Sequence, residues 1–316
     1  MHERLKPLRD LLDERIVGHD DAKQALLLAL VCREHLYLEG PPGAAKTLMA
    51  ELVARGSGLR FFFYQFHRDT RLAELLGDVV LERQALPAEG EGEGAVERIR
   101  QRIEPGGLLT GEVCVLDDLS RAPGEALNVL LRILNERRYG DVDLPLLTAI
   151  ATGNPTGDDY YNEPLDPANL DRFALQLRVQ GLLQSGDAEA SRRLVEHFAA
   201  NPDADASPGE AVAERAAFQD LYRALPGVVV PPGVIDALLG ILRALVEEHG
   251  LREDNALLTD RTFLVKALKL LRGRALLQGR KAVAPEDLAV LEWMTTFRVP
   301  EQVHARVPDL VRLALG

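Results

Sequence analysis

Gly40-Pro41-Pro42-Gly43-Ala44-Ala45-Lys46-Thr47 stands between a short apolar run, Leu36 to Leu38, and a helical pattern opened by Leu48, Leu52 and Val53. That setting is what a phosphate-cradling loop requires. A strand delivers the backbone into a tight turn, and glycines let successive N–H groups converge on phosphate oxygens. The following helix points the positive end of its dipole at them. Lys46 is then placed to reach the β- and γ-phosphates, and the Thr47 hydroxyl to take a position on Mg²⁺. Ala45 occupies the place where the general pattern has a glycine before the lysine. The segment reads as a site for a nucleoside triphosphate.

Outward from this loop, Leu36 to Glu39, Phe61 to Gln65, Val113 to Asp117 and Leu147 to Ala151 are short, largely apolar runs of strand length. Such runs, separated by helical patterns at Thr47 to Ala54 and Gly124 to Asn135, predict buried parallel strands in a three-layer α/β domain. Ligands in that architecture bind at the carboxyl ends of the strands. Ahead of the loop, Leu5 to Leu12 predicts a short amphipathic helix and Ile16 to His19 a break. A second helix follows from about Asp21 to Cys32, with Asp20 as its cap. Thr70 to Gly107 reads as an insertion whose middle, Pro87 to Gly94, has almost nothing to bury and predicts a mobile hairpin tip or loop. After Val179 the strand-like runs stop. Ser185 to Ala200, Glu210 to Leu225, Pro232 to His249, Arg261 to Leu277 and Pro285 to Phe297 carry helical periodicity, with an exposed loop at Asn201 to Pro208. The division expected is an α/β domain over residues 1–182 and a helical domain over 183–316.

Composition bounds the function. An apolar fraction of 47% with 27% charged residues is that of an ordinary globular protein. No apolar stretch approaches the ~20 residues of a membrane span, and no signal peptide is visible, so the cytoplasm is the expected compartment. Cys32 and Cys114 both lie in apolar runs, as buried free thiols do, which leaves zinc without ligands. A net charge of −12 argues against nucleic acid as the main partner.

Val113-Cys114-Val115-Leu116-Asp117-Asp118 is an apolar strand ending in two carboxylates, the form of a second nucleotide motif whose first acid holds Mg²⁺. The second acid polarises the attacking water in such hydrolases and is usually Glu; here it is Asp118, one methylene shorter. With the loop unadjusted, the water sits on the order of 1 Å from the in-line position, a displacement that can cost ~10²-fold in rate. The competing role for both acids is to cap the next helix or solvate a turn.

These motifs, with Ser120-Arg121-Ala122-Pro123, Leu134-Asn135-Glu136-Arg137, Ala151-Thr152-Gly153-Asn154-Pro155 and Leu170-Asp171-Arg172-Phe173, make the chain resemble the MoxR branch of the AAA+ ATPases. The Gly-Pro-Pro-Gly start, Thr259-Asp260-Arg261, Lys269-Leu270-Leu271 and Ala282-Val283-Ala284-Pro285 are most similar to the RavA-like members, which also tend to carry alanine before the lysine. Asp118 departs from the family's Asp-Glu. The resemblance implies a P-loop AAA+ domain with a helix-2-type insertion, followed by an all-α lid. It implies ATP as ligand, with Gly40, Pro41, Pro42, Gly43, Ala44, Ala45, Lys46, Thr47 and Leu48 around the phosphates and Val17 and Gly18 lining the adenine. Thr47 and Asp117 would serve the Mg²⁺ and Asp118 the water. Asn154 would help to orient that water; its competing role is to start an Asn-Pro turn.

Arg172 resembles the arginine finger that reaches a neighbouring subunit's γ-phosphate, the competing role being a surface pair with Asp171. Arg261 resembles the lid arginine that contacts phosphates in its own subunit, as against simple solvation or a bond to Asp260. His19 suits a polar turn, and Arg121 a subunit interface. An arginine acting in trans requires an assembly, by family analogy a hexameric ring. Family members are chaperone-like remodellers, commonly alongside a partner with a von Willebrand factor A domain. The insertion around Arg68 to Gly107 is the surface through which motion would reach that partner or the pore. A hydrolysis-poor, nucleotide-dependent scaffold is the principal alternative. A motor for a metal chelatase or for Rubisco repair is a weaker one.

Overall fold

The sheet alternates its side chains between two separate interiors. In a computed structural model, which describes residues 2–77, 79–86, 96–155, 165–202, 210–252, 255–258 and 260–315, five parallel strands form the centre: β1 Leu36–Glu39, β2 Phe61–Gln65, β3 Val113–Asp117, β4 Thr148–Gly153 and β5 Leu175–Arg178. Their order across the sheet is β2-β3-β4-β1-β5. Successive strand residues face opposite ways. Leu36, Leu38, Val113, Val115 and Ile150 therefore join a core with Leu8 and Leu12 of helix α1 (Lys6–Arg15) and with Leu26, Leu30, Met49 and Val53 of α2 (Asp20–Cys32) and α3 (Lys46–Gly56). Tyr37, Cys114, Leu116 and Ala151 join another with Leu130 and Leu134 of the helix Gly124–Glu136. This is the three-layer arrangement expected. A fifth strand, β5, was not among the strand-length runs, although Leu175-Gln176-Leu177-Arg178 alternates in the required way.

The insertion consists of a short helix, Leu72–Leu76, and an antiparallel hairpin pairing Val79–Leu86 with Val96–Ile103, in register from Val79 opposite Ile103 to Leu86 opposite Val96. The tip expected at Pro87 to Gly94 lies outside the described residues. So does most of the loop expected at Asn201 to Pro208.

Beyond β5 the described residues form helices, Ala188–Ala200, Arg215–Ala224, Pro232–Glu247, Asp260–Leu277, Val290–Thr295 and Val307–Leu315 among them. Some ends differ from expectation for local reasons. The cap of α2 is His19, in the left-handed region at φ 57°, while Asp20 is the first helical residue and pairs with Arg9 at 2.8 Å. The first of these later helices starts at Ala188, not Ser185, because the Asp187 carboxylate accepts the Ala190 N–H at 2.8 Å. The run Pro285 to Phe297 divides into a 3₁₀ segment, Pro285–Ala289, and the helix Val290–Thr295. The buried Asp287 accepts the Ala284 N–H and a two-pronged contact from Arg280, which holds the tighter turn. No helix among the described residues is long and apolar enough to cross a membrane.

The helical part and the α2 side of the sheet share one apolar interior, in which Phe218, Leu238, Leu270 and Leu291 join the residues of α2 and α3. The helix Asp260–Leu277 lies so close to α2 that a Cβ on Gly273 would sit 2.2 Å from the Cys32 Sγ. Beside this contact Lys269 pairs with Glu34, and Arg33 covers the Tyr222 ring at 3.9 Å.

Candidate functional site

Parallel register brings the carboxyl ends of β1, β3 and β4 together. Glu39 lies opposite Gly153, and Leu116 opposite Ala151, so the phosphate loop, the two acids and Asn154 leave the sheet side by side. The Gly40 N–H donates to Gly153 O at 3.2 Å, fixing the start of the loop against the end of β4. Gly40 also passes Val179 so closely that a Cβ would meet its carbonyl oxygen at 2.1 Å, leaving no room for a side chain. Ala45 caps α3 in the left-handed region, φ 55° and ψ 18°. That conformation, which costs an L-residue about 1–2 kcal/mol, is the reason the general pattern has glycine there.

Six side chains form a connected set. Asp117 Oδ1 accepts the hydroxyls of Thr47 and of Thr152, each at 2.6 Å. Thr152 Oγ1 in turn accepts the Asp118 N–H at 3.1 Å, so one buried hydroxyl braces both acids. Asp118 takes a left-handed conformation, φ 53° and ψ 46°, which turns its carboxylate out of the strand. Its Oδ1 accepts Asn154 Nδ2 at 2.9 Å, and Arg121 Nε lies 3.6 Å from Oδ2. Lys46 Nζ donates to the loop carbonyls of Gly40 and Pro41, both at 2.8 Å, and to Asn154 Oδ1 at 3.3 Å. Asn154 thus links the lysine to the second acid, a stronger tie than an Asn-Pro turn alone would give. Burial pulls the Lys46 ammonium below its ordinary pKa, against the opposing charges of Asp118, Asp117 and Glu39. The Glu39 carboxyl is pushed up, chiefly by burial, with Arg178 and Lys46 opposing.

Thr47 and Asp117 share one place, and the donors there are a hydroxyl and a carboxylate. Among the described residues no group of three or more His, Cys, Asp or Glu gathers to cage a metal. A hard cation that keeps water and shares its shell with phosphate oxygens fits so sparse an oxygen set, which is the behaviour of Mg²⁺.

Beside the loop opens a pocket of about 600 Å³, lined by Pro41 to Ala45 and Leu48 on one side and by Ile16, Val17 and His19 on another. Leu194, Val195 and Phe198 of the helix Ala188–Ala200 complete it, with Leu182 and Leu183. Val17 is therefore in the pocket; Gly18 does not line it but packs on Leu182, which does, and a Cβ there would meet Leu182 Cδ2 at 2.8 Å. The Leu194, Val195 and Phe198 spacing was legible as one helix face but carried no sign of a ligand. Thr152 was also missed as a functional residue, since a threonine near the end of an apolar run reads as ordinary strand.

Arg172 and Arg261 are placed differently. Neither lines the pocket. Arg172 is half-buried, and its described side-chain bond is a long one, 3.4 Å to Asn135 Oδ1. It does not pair with Asp171, because Arg298 takes that carboxylate at 3.0 Å. Arg261 is exposed in the first turn of Asp260–Leu277. Five residues on, about 7.5 Å along the helix, Lys266 Nζ reaches Asp171 O at 3.4 Å. That brings the second turn of this helix to the segment that carries Arg172.

A phosphate loop beside paired strand-end acids on a parallel sheet, followed by helices, is the arrangement of a P-loop AAA+ ATPase. Residues 3–193 match the protein-family model described as the MoxR domain in the MoxR-vWA-beta-propeller ternary systems, and residues 234–303 match an AAA lid domain. The chain belongs to the MoxR family of AAA+ ATPases. It is 30% identical over 169 residues to the chaperone MoxR1 of Mycobacterium tuberculosis, a match spanning 52% of this chain and 41% of that protein. It is 29% identical over 188 residues to the protein MoxR of Methylorubrum extorquens, spanning 57% and 50%. The chain thus matches half or less of the length of these relatives. A crystal structure of a candidate ATPase from Cytophaga hutchinsonii shares the fold, with a TM-score of 0.70, 21% identity, and coverage of 99% of this chain and 93% of that one.

Proposed function

We propose that the chain binds and hydrolyses ATP with Mg²⁺ as a subunit of a cytoplasmic ring with no nucleic-acid role, and remodels protein complexes alongside a von Willebrand factor A domain partner. The observation that carries this is the bonded set Lys46, Thr47, Asp117, Asp118 and Asn154 at the ends of three adjacent strands. Lys46 and the loop N–H groups hold the polyphosphate, and the apolar pocket bearing Val17 receives the base. Mg²⁺ held between Thr47, Asp117 and phosphate would neutralise charge on the leaving group. Asp118 and Asn154 place the attacking water, Asp118 accepting its proton. The domain boundary falls at residues 182 and 183, so that the helix Ala188–Ala200 closes the pocket from the lid side.

Arg172 serves the neighbouring protomer, which makes the ring, a hexamer by family analogy, necessary for turnover. Its freedom from Asp171 supports that role. Arg261, from the first turn of Asp260–Leu277, contacts the phosphates in its own subunit when ATP binding clamps the helical part against the α/β domain. The matching family description supports the partner class. The RavA-like branch remains the reading of the motifs alone.

Steady-state ATPase assays on wild type, Asp118→Glu and Lys46→Ala test the proposal. Turnover in wild type that Lys46→Ala abolishes is expected. The short Asp118 side chain, standing where the family has Glu, favours a second reading, an ATP-dependent scaffold. Wild type indistinguishable from Lys46→Ala, with activity gained by Asp118→Glu, would establish the scaffold and end the remodeller.

A further inference from the structure

The segment that carries Arg172 is held from behind by a single guanidinium. Arg298 comes from the helical part of the chain, 3% exposed, and all its N–H groups are engaged. Nε donates to Asp171 Oδ1 at 3.0 Å; Nη2 donates to Asp171 O at 3.2 Å and Phe173 O at 2.7 Å. Nη1 donates to Ala174 O at 3.2 Å and, closing the set, to Met294 O at 2.5 Å. A guanidinium has five N–H donors in a rigid plane, so no donor is left over and no other side chain can reproduce the pattern. Four of the bonds fall on residues 171, 173 and 174, on both sides of Arg172.

Neighbouring contacts fix the same turn to the same helical segment. Gln176 Nε2 donates to Leu170 O at 2.7 Å and Phe173 O at 3.1 Å, while its Oε1 accepts the Phe297 N–H at 3.1 Å. Thr296 Oγ1 donates to Gln176 O at 2.6 Å. The Phe173 ring is buried against Tyr37, with centroids 5.8 Å apart. Arg172 is thus a half-exposed side chain on a turn held by Gln176 and Tyr37 from the sheet and, from the helical part, by residues 294–298.

We infer that Arg298 is a positioning residue for Arg172, presenting it to the neighbouring protomer's nucleotide and making the C-terminal helices and the trans-acting arginine move as one body. This rests on the reading of Arg172 as acting in trans. Among the described residues Arg298 neither lines the pocket nor bonds to the phosphate loop, so its loss lowers turnover without weakening nucleotide binding in its own subunit.

The test uses Arg298→Lys, which keeps the charge but has too few donors to span the turn. Its kcat should fall about ten-fold or more, since displacement of a catalytic group by ~1 Å can cost ~10²-fold. Its affinity for a fluorescent ATP analogue should stay within about two-fold of wild type, as expected when a group acts only in the transition state. Assemblies are then formed from equal amounts of two chains. Arg298→Lys with Lys46→Ala should regain turnover, because the Lys46→Ala subunit supplies an intact Arg172 to the other's intact phosphate loop. Arg298→Lys with Arg172→Ala should not, both being defective in the same half. Arg172→Ala with Lys46→Ala is the control for trans action itself.

If the control regains turnover and the Arg298→Lys mixture does not, the defect lies within its own subunit and the inference is overturned, while the trans reading stands. If the control fails, or wild type has no turnover above Lys46→Ala, the trans reading fails and takes the inference with it. Wild-type kcat in Arg298→Lys would also overturn it. Should Arg298→Lys not fold, Asp171→Asn replaces it. That variant keeps the bonds to the backbone carbonyls and an oxygen for Arg298 Nε but removes the carboxylate charge, and the same mixing pattern with a smaller defect is expected.

Discussion

Removing the Thr152 hydroxyl while keeping the side chain's outline isolates what holds the two strand-end acids. Thr152→Val deletes at once the donor to Asp117 Oδ1, at 2.6 Å, and the acceptor of the Asp118 N–H, at 3.1 Å. Thr152→Ser keeps both and drops one methyl. A hydrogen bond onto an ionised carboxylate contributes about 1.5–3 kcal/mol, and a buried N–H left without a partner costs about 1–3 kcal/mol. At 1% exposure no water takes over either bond. Because one hydroxyl serves both, the losses overlap, and the expected destabilisation is about 2–4 kcal/mol. The serine variant should lose about 1 kcal/mol, the transfer value of a methyl group. Urea unfolding of the three proteins measures the stabilities. ATPase assays should show a fall of roughly ten-fold or more in kcat for the valine variant, because Asp118 is no longer held to sub-ångström tolerance. A valine variant as stable and as active as the serine variant would refute the bracing role.

Ala45→Gly relieves a left-handed backbone worth about 1–2 kcal/mol but frees the unfolded chain by about 0.5–1 kcal/mol. The net expectation is a gain of up to about 1 kcal/mol in chemical denaturation; a loss of that size would mean that the methyl's packing dominates. Burial pulls the His35 pKa from 6.5 down to about 3, and the neutral ring bridges the Ala149 N–H and Leu134 O at 2.9 Å each. The unfolded chain takes up a proton near its ordinary value while the folded one does not. This contribution to stability is therefore complete above about pH 6.5 and is lost at about 1.4 kcal/mol per pH unit as pH falls toward the folded value. The His35 ring-proton shift in NMR should stay flat from pH 8 to 5, and an inflection near 6.5 in the folded protein would contradict it.

What the sequence made legible is what repeats locally. Leu36–Glu39, Phe61–Gln65 and Val113–Asp117 have the observed bounds because each apolar run is cut off by a change of residue type. The phosphate loop and the Asp117-Asp118 pair could be seen because their chemistry demands particular residues in consecutive positions. Thr152 could not, since its role comes from strand order, which sets β4 beside β3. Arg298 was invisible for the same reason: it lies 127 residues from Asp171, and nothing in its own neighbourhood marks it as a clamp. How the long helix Asp260–Leu277 lies against α2 is likewise a matter of packing between distant surfaces that no single motif records.

That packing leaves Gly273 in touch with the Cys32 sulfur, which is wholly buried and whose thiol burial pushes well above the ordinary range. A thiol so enclosed cannot react with an alkylating reagent until the long helix lifts from α2. The chain therefore carries its own chemical clock: the rate at which Cys32 is labelled counts how often the C-terminal helices come away from the nucleotide-binding core.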